Sequence, residues 1–130
     1  MKRILLCLIC IFSLLGSKAQ SYNELVEKAM DYTFKDSLQQ AEELFREALR
    51  LDPYNARNAL LFSNLGTVLK RQGKIDEAID SYTMALNITP YATAILLNRA
   101  TLYMEKNLTE KAQTVQVLFP NDESILHPDR

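Results

Sequence analysis

Few residues in this chain have the chemistry that a catalytic site needs. The only histidine, His127, lies next to a proline near the end of the chain. Three carboxylates, those of Asp76, Glu77 and Asp80, are close enough in sequence to suggest a metal site. Acidic residues at the start of a helix are also stabilised by its dipole, and we prefer that interpretation of these three. The sequence therefore predicts no enzyme, no metal site and no cofactor.

The first 19 residues have the composition of an export signal. Lys2 and Arg3 give a positive start, an apolar run of twelve residues follows at 4–15, and small residues stand at positions 17 and 19, which a signal peptidase inspects. Twelve residues are too few to span a bilayer, since a membrane helix needs about 20. We expect cleavage after Ala19 and export of the mature chain, periplasmic or secreted, without stable membrane insertion.

Removal of residues 1–19 would change the chemistry of the remainder. Both cysteines, Cys7 and Cys10, would be lost, which excludes cysteine nucleophiles and Cys/His zinc sites. The removed segment contains three of the 15 basic residues and none of the 16 acidic ones. The remaining chain therefore has 12 basic and 16 acidic residues, a net charge of −4. This balance argues against nucleic acid as a partner. Only Gly66 and Gly73 would remain, too few for a phosphate-binding glycine loop.

The structural elements of the remaining chain are clearest between Asn64 and Pro90. Apolar residues on both sides of Gly73 recur three and four positions apart, which predicts two amphipathic helices. Gly73 can adopt the left-handed conformation that ends the first helix, and Pro90 cannot continue the second. Because Gly66 and Ala78 are small, the two antiparallel helices can approach closely.

The same arrangement occurs on both sides of this stretch. Upstream, Ser21 and Glu24 form a capping box for a helix start, and Asp36-Ser37 offers a cap for a second helix. The upstream copy lies 37 positions before the central one and the downstream copy 34 positions after it. We therefore expect three additional residues within 55–58, which would lengthen the helix that begins near position 58. The matched pairs are Ala29 and Gly66, Ala41 and Ala78, Phe45 and Tyr82, Pro53 and Pro90, Gly66 and Ala100, Gly73 and Asn107, and Ala78 and Ala112.

With three copies of one pattern, residues 22 to about 120 resemble a tetratricopeptide-repeat protein. The resemblance implies an all-α fold of antiparallel helix–turn–helix repeats, stacked as a short right-handed solenoid. The repeats should span about 22–55, 59–92 and 93–120 of a domain at 20–120, with 121–130 as a short tail or truncated helix. Asn107 tolerates the left-handed conformation and should end the first helix of the third repeat. That repeat is shortened, because Pro120 comes four positions before the expected closing proline.

The resemblance also implies where a partner would bind. In this family the first helix of each repeat lines a concave groove, which generally binds an extended peptide or a partner helix. Asn64 and Asn98 share one repeat position, and each amide can donate and accept hydrogen bonds to a peptide backbone. The alternative is that the polar residues at these positions are solvated and bind nothing. By repeat position, the candidate groove residues are Asn64, Thr67, Lys70, Arg71, Asn98 and Thr101.

Two functions remain open at this point. One is a non-enzymatic interaction module that binds a protein or peptide of unknown identity in its groove, which the groove sequence favours. The other is a structural or vestigial product, a truncated array without a specific ligand, which the shortened third repeat favours. Apolar residues near the C-terminal end exceed what a shortened helix can bury, and such patches usually mark an interface. Self-association through that end is therefore a further expectation.

Overall fold

The computed structural model describes residues 20–118, so the expected signal peptide at 1–19 and the tail at 121–130 lie outside it. The described range contains five α-helices and no strands. The helices are α1 (Tyr22–Phe34), α2 (Leu38–Leu51), α3 (Asn58–Arg71), α4 (Ile75–Ile88) and α5 (Thr93–Leu118). Helix α1 packs most extensively on α2, and α3 on α4. The predicted all-α architecture of helical repeats is confirmed.

The first helix begins at the predicted capping box. The Glu24 amide donates a hydrogen bond to Ser21 Oγ at 3.3 Å, and the Ser21 amide donates to Glu24 Oε2 at 3.1 Å. Two amides that the helix itself cannot satisfy are thereby paired. The cap expected for the second helix is only partly formed, because Ser37 precedes α2 but its side chain makes no capping hydrogen bond.

Each of the first two helix pairs turns through one residue in the left-handed conformation. Gly73 has a φ of +77°, as predicted, and Asp36 has a φ of +60° at the matching position of the first pair. In both turns the following amide donates to a carbonyl five positions back, at 3.0 Å after Gly73 and 2.9 Å after Asp36. These bonds are the Schellman arrangement that ends many helices.

Close helix packing depends on small residues facing large ones. The Tyr82 side chain is 1% exposed and lies against Gly66. In the first pair, Phe45 and Ala29 occupy the matching positions and are completely buried. Other core residues come from every helix: Leu25, Val26, Ala41, Ala48, Leu61, Leu65, Val68, Leu69, Ala78, Ile79 and Leu102.

The residues added between the first two repeats mostly enlarge a loop. Six residues, 52–57, separate α2 from α3, whereas four, 89–92, separate α4 from α5. Helix α3 has 14 residues against 13 in α1, so the expected lengthening amounts to one residue and was largely wrong. The buried Asn58 holds the loop, because its Nδ2 donates to the Asp52 carbonyl at 2.8 Å and its Oδ1 accepts from the Tyr22 hydroxyl at 3.0 Å.

The third repeat does not turn at Asn107. Helix α5 continues through this residue to Leu118, a length of 26 residues, so the expected helix end is wrong. Asparagine tolerates a left-handed turn but does not enforce one. In the second pair the returning helix buries Ile79 and Tyr82, whereas the residues 34 positions later are Gln113 and Gln116. A returning helix would therefore have little apolar surface to bury against α5.

Candidate partner-binding groove

The six predicted groove residues lie on the first helices of the second and third repeats, and none of them is buried. On α3, Asn64, Thr67 and Lys70 are half-buried and Arg71 is exposed; on α5, Thr101 is half-buried and Asn98 is exposed. Their hydrogen bonds differ, however. Only some of these side chains retain polar groups that a partner can use.

Arg71 fastens the end of α3 to the end of α1. Its Nη1 donates to the Thr33 carbonyl at 3.2 Å, and its Nη2 pairs with Asp36 Oδ1 at 2.8 Å. Thr33 lies in the last turn of α1, where carbonyls lack partners within the helix. Arg71 therefore has a structural role that sequence reasoning did not predict, and its charge is already matched by a carboxylate.

Two further contacts join α3 to α1. Asn64 Nδ2 lies 3.3 Å from Met30 Sδ near the middle of the helices, and Arg57 Nη1 donates to Asn23 Oδ1 at 3.1 Å before the start of α3. Thioether sulfur is a weak acceptor, so Asn64 retains most of its hydrogen-bonding capacity. With Arg71, these contacts connect the two helices at three levels.

The hydroxyl groups of the predicted set are used within the protein. Thr67 Oγ1 donates to the Ser63 carbonyl at 3.2 Å and lies 3.0 Å from the Tyr82 hydroxyl. Thr101 Oγ1 donates to the Leu97 carbonyl, one turn earlier on α5, at 3.0 Å. These threonines shape the surface but offer a partner little additional hydrogen bonding.

The contact between α3 and α5 on this side is weaker. Lys70 Nζ lies 3.8 Å from Glu105 Oε1, and the two side chains are 38% and 47% exposed. Exposed ion pairs of this kind contribute about 0–1 kcal/mol. Asn98, the other predicted residue on α5, is exposed, and its side chain has no hydrogen-bond partner among the described side chains of residues 20–118. Its amide is the most available polar group of the predicted set.

Sequence reasoning missed a depression beside these residues. It has a volume of about 430 Å³ and lies between the first turns of α3 and α5. Leu60 and Ala94, 34 positions apart, occupy one repeat position and both line it. The sequence signal that could have indicated this depression is an apolar residue, in place of a polar one, at an exposed position on the first helix of a repeat. The lining residues are Ala56, Arg57, Ala59, Leu60, Ser63, Thr89, Ala92, Ala94 and Ile95.

Two of the three acidic residues considered as metal ligands, Asp76 and Glu77, instead pair with cations. Asp76 and Glu77 lie in the first turn of α4, as the preferred interpretation predicted, whereas Asp80 lies beyond that turn and the interpretation is wrong for it. Asp76 Oδ1 accepts from Lys106 Nζ at 2.6 Å, and Glu77 Oε2 accepts from Arg46 Nη2 at 2.8 Å. Within residues 20–118, no group of three or more His, Cys, Asp or Glu side chains is arranged to hold a metal ion.

A second polar cluster, outside the groove, joins the first two repeats. Glu42 is buried on α2, where Oε2 accepts from Gln72 Nε2 at 2.9 Å and Lys74 Nζ at 2.8 Å, and Oε1 accepts from Arg46 Nε at 2.9 Å. Burial alone would raise the pKa of Glu42, but the hydrogen bonds from Lys74, Gln72 and Arg46 outweigh it and lower the pKa below its ordinary value. The cluster ties α2 to the turn between α3 and α4, so its role is structural.

None of the helices within the described range is long and apolar enough to cross a membrane.

Comparison with known proteins identifies the family. The Tetratricopeptide repeat profile matches residues 18–90, which include α1 to α4. A crystal structure of a tetratricopeptide repeat protein from Parabacteroides merdae has a TM-score of 0.66 and 43% sequence identity, and the match covers 83% of this chain and 44% of that one.

Two curated relatives share shorter stretches. Human DnaJ homolog subfamily C member 7 is 40% identical over 73 residues, which are 55% of this chain and 15% of that protein. Mouse RNA polymerase II-associated protein 3 is 37% identical over 68 residues, 52% of this chain and 10% of that protein. The chain thus spans a small part of each relative. On the profile match and the repeat geometry, it belongs to the tetratricopeptide-repeat family, whose members generally mediate protein–protein interactions.

Proposed function

We propose that this chain is a non-catalytic interaction module that binds an extended peptide segment of a protein across α1, α3 and α5. The exposed Asn98 amide carries the proposal, because it can both donate and accept hydrogen bonds to a peptide backbone. Asn64, at the same repeat position of α3, adds a second amide. The same two helices carry exposed apolar side chains, including Leu60, which is 57% exposed, and Leu97, which is 65% exposed. A peptide thus meets amides for its backbone and apolar surface for its side chains.

Selection of random 12-residue peptides displayed on phage would test this function. We expect enrichment of a shared motif on residues 20–130 and about a two- to tenfold loss of affinity in Asn98→Ala, since one net hydrogen bond contributes about 0.5–1.5 kcal/mol. Asn107→Ala is the matched control, because Asn107 is also an exposed amide on α5. Equal effects of the two substitutions would contradict groove binding.

The same selection addresses the alternative of a structural or vestigial product. The 26-residue helix α5 favours this alternative, because within residues 20–118 it continues through Asn107 and no returning helix follows it as in the first two repeats. A product without a ligand should enrich no shared sequence in repeated selections. It should also tolerate Asn98→Ala with no change in any property except local solvation.

Export is a separate proposal and concerns residues outside the described range. The positive start, the short apolar run and the small residues at 17 and 19 support cleavage after Ala19 and release into the periplasm or medium. Intact-mass measurement on protein expressed from the full sequence in its native envelope should give a chain that starts at Gln20. A mass that includes Met1 would contradict it.

Self-association is a second candidate, and the occupant that we propose is another copy of this chain. Phe119, Ile125 and Leu126, on which the C-terminal expectation depends, lie outside the described residues, so the surface proposed here is an exposed face of α5. On α3, the residues that face α4 include Phe62, Gly66 and Leu69. The residues 34 positions later, on α5, are Leu96, Ala100 and Tyr103. Leu96 is 40% exposed and Tyr103 is 52% exposed. Their spacing of four and three suits antiparallel pairing of two identical α5 helices. Sedimentation equilibrium should show a dimer that Tyr103→Glu converts to a monomer, whereas a wild-type monomer at 100 μM would exclude the proposal.

A further inference from the structure

The depression between α3 and α5 has the size and lining of an anchor pocket. Its volume of about 430 Å³ falls in the range of about 300–1,000 Å³ typical of ligand pockets. Four of its lining residues are alanines, whose small side chains leave the space open, and Leu60 and Ile95 add apolar walls. The Thr89 hydroxyl already donates to the Ala85 carbonyl at 3.1 Å. An apolar group is therefore the natural occupant.

Arg57 lines this pocket just before α3, and its guanidinium lies on the side that faces α1. It is the only charged residue among the described residues that line the depression. Its Nη1 is held at 3.1 Å by the neutral Asn23 Oδ1, and it makes no ion pair within residues 20–118. By contrast, the cations Arg46, Arg71 and Lys106 each have a carboxylate partner within 3.0 Å. The Arg57 guanidinium is thus positioned by α1 and retains a charge that a ligand can neutralise.

We propose that this pocket receives a large apolar side chain of a bound peptide and that Arg57 pairs with a carboxylate next to it. The inference rests on the proposed function and names the peptide class: an aliphatic or aromatic residue followed or preceded by Asp or Glu. The apolar side chain would bury against Leu60 and Ala94. The planar guanidinium can bind the carboxylate through two parallel hydrogen bonds.

Synthetic peptides of ten residues, acetylated and amidated on a Gly/Ser background, would test the pairing. Their two central residues are Leu-Asp, Leu-Asn, Leu-Lys or Ala-Asp, and affinities are measured by fluorescence anisotropy. The Leu-Asp peptide should bind at least about threefold more tightly than Leu-Asn and about tenfold more tightly than Ala-Asp, since three buried carbon atoms are lost with leucine. Leu-Lys should bind most weakly of the leucine peptides.

Protein variants separate the apolar and charged parts of the pocket. Arg57→Gln should reduce the preference for Leu-Asp over Leu-Asn to about one, while Lys28→Gln, which removes an exposed charge from α1, should preserve it. Ala94→Phe fills the pocket and should weaken Leu-Asp binding about tenfold or more. Asn107→Phe is its control, since it places the same ring on α5 outside the pocket. Circular dichroism establishes that all variants are folded.

Methyl NMR distinguishes failure of this inference from failure of the proposed function. Saturation with Leu-Asp should shift the methyl resonances of Leu60 and Ala94. Peptides that shift the Asn98 amide but leave both methyl groups unchanged would overturn the pocket assignment and retain groove binding. Absence of binding by these peptides and by the phage-selected ones would overturn both. Unchanged Leu-Asp affinity in Ala94→Phe would also overturn the assignment.

Discussion

The Tyr82 ring lies so close to Gly66 that a Cβ atom at residue 66 would be 2.8 Å from Tyr82 Cε1. This contact sets the separation of α3 and α4. Alanine would normally stabilise a helix interior by about 1 kcal/mol relative to glycine. Here the buried ring must shift, and overpacking costs about 1–3 kcal/mol. We expect Gly66→Ala to lower the free energy of unfolding by about 1 kcal/mol, measured by urea denaturation.

A second substitution shows whether the ring causes this loss. In the Tyr82→Leu background, the space opposite residue 66 is enlarged, and Gly66→Ala should become neutral or stabilising. The same loss in both backgrounds would mean that Gly66 is required for a reason other than its contact with Tyr82.

The turn at Gly73 provides a test of backbone strain alone. No atom lies within 4 Å of a Cβ built on this residue, but its φ is +77°. Gly73→Ala should therefore destabilise the protein by about 1–2 kcal/mol, the cost of a left-handed conformation for an ordinary residue. Gly73→Asn should cost less, because asparagine tolerates this conformation and Asp36 already adopts it in the first repeat. Thermal or urea unfolding that ranks asparagine below alanine would contradict this explanation.

The Glu42 cluster should make stability depend on pH. The pKa of Glu42 is lower in the folded protein than its ordinary value of 4.5. The cluster therefore stabilises the fold above the unfolded pKa, and the contribution is lost as the pH falls through the folded pKa. Glu42→Gln should lower the free energy of unfolding by about 1–2 kcal/mol at pH 7 and have a smaller effect at pH 3.

Glu43→Gln is the control for this measurement. Glu43 is exposed on the next position of α2, and its contact is a single 3.5 Å hydrogen bond from Gln39. It should change stability by less than about 0.5 kcal/mol at either pH. An identical pH dependence for wild type and Glu42→Gln would show that another group controls acid unfolding.

Truncation of the two groove asparagines should weaken peptide binding without unfolding the domain. The double substitution Asn64→Ala and Asn98→Ala should weaken a phage-selected peptide by about 1–3 kcal/mol, the sum of two net hydrogen bonds. Asn98→Ala should leave the melting temperature unchanged, because the Asn98 side chain has no hydrogen-bond partner among the described side chains of residues 20–118. Asn64→Ala loses only a weak contact to Met30. A large fall in melting temperature would make these residues structural instead.

Local chemistry accounts for what the sequence predicted well. The capping box at Ser21 and the left-handed Gly73 follow from neighbouring residues, and the helix periodicity follows from apolar spacing. The end expected at Asn107 failed because helix ending there depends on a returning helix with apolar residues to bury. The role of Arg71 was also hidden, since its partners Thr33 and Asp36 are 38 and 35 positions away. Position within a repeat located the side chains but not their hydrogen bonds.

Helix α3 makes stronger side-chain contacts with α1 than with α5, and this difference has a mechanical consequence. On the α1 side it is held at three levels by Arg57, Asn64 and Arg71. On the α5 side, the groove residues are joined by the 3.8 Å pair of Lys70 and Glu105. The surface formed by α1 and α3 should therefore be stiff. Helix α5 is bonded to α4, through the 2.6 Å pair of Lys106 and Asp76, more firmly than to α3, so the separation of α5 from α3 should be the more compliant coordinate. A bound peptide would then adjust the width of the groove by moving α5, while the surface formed by α1 and α3 keeps its shape.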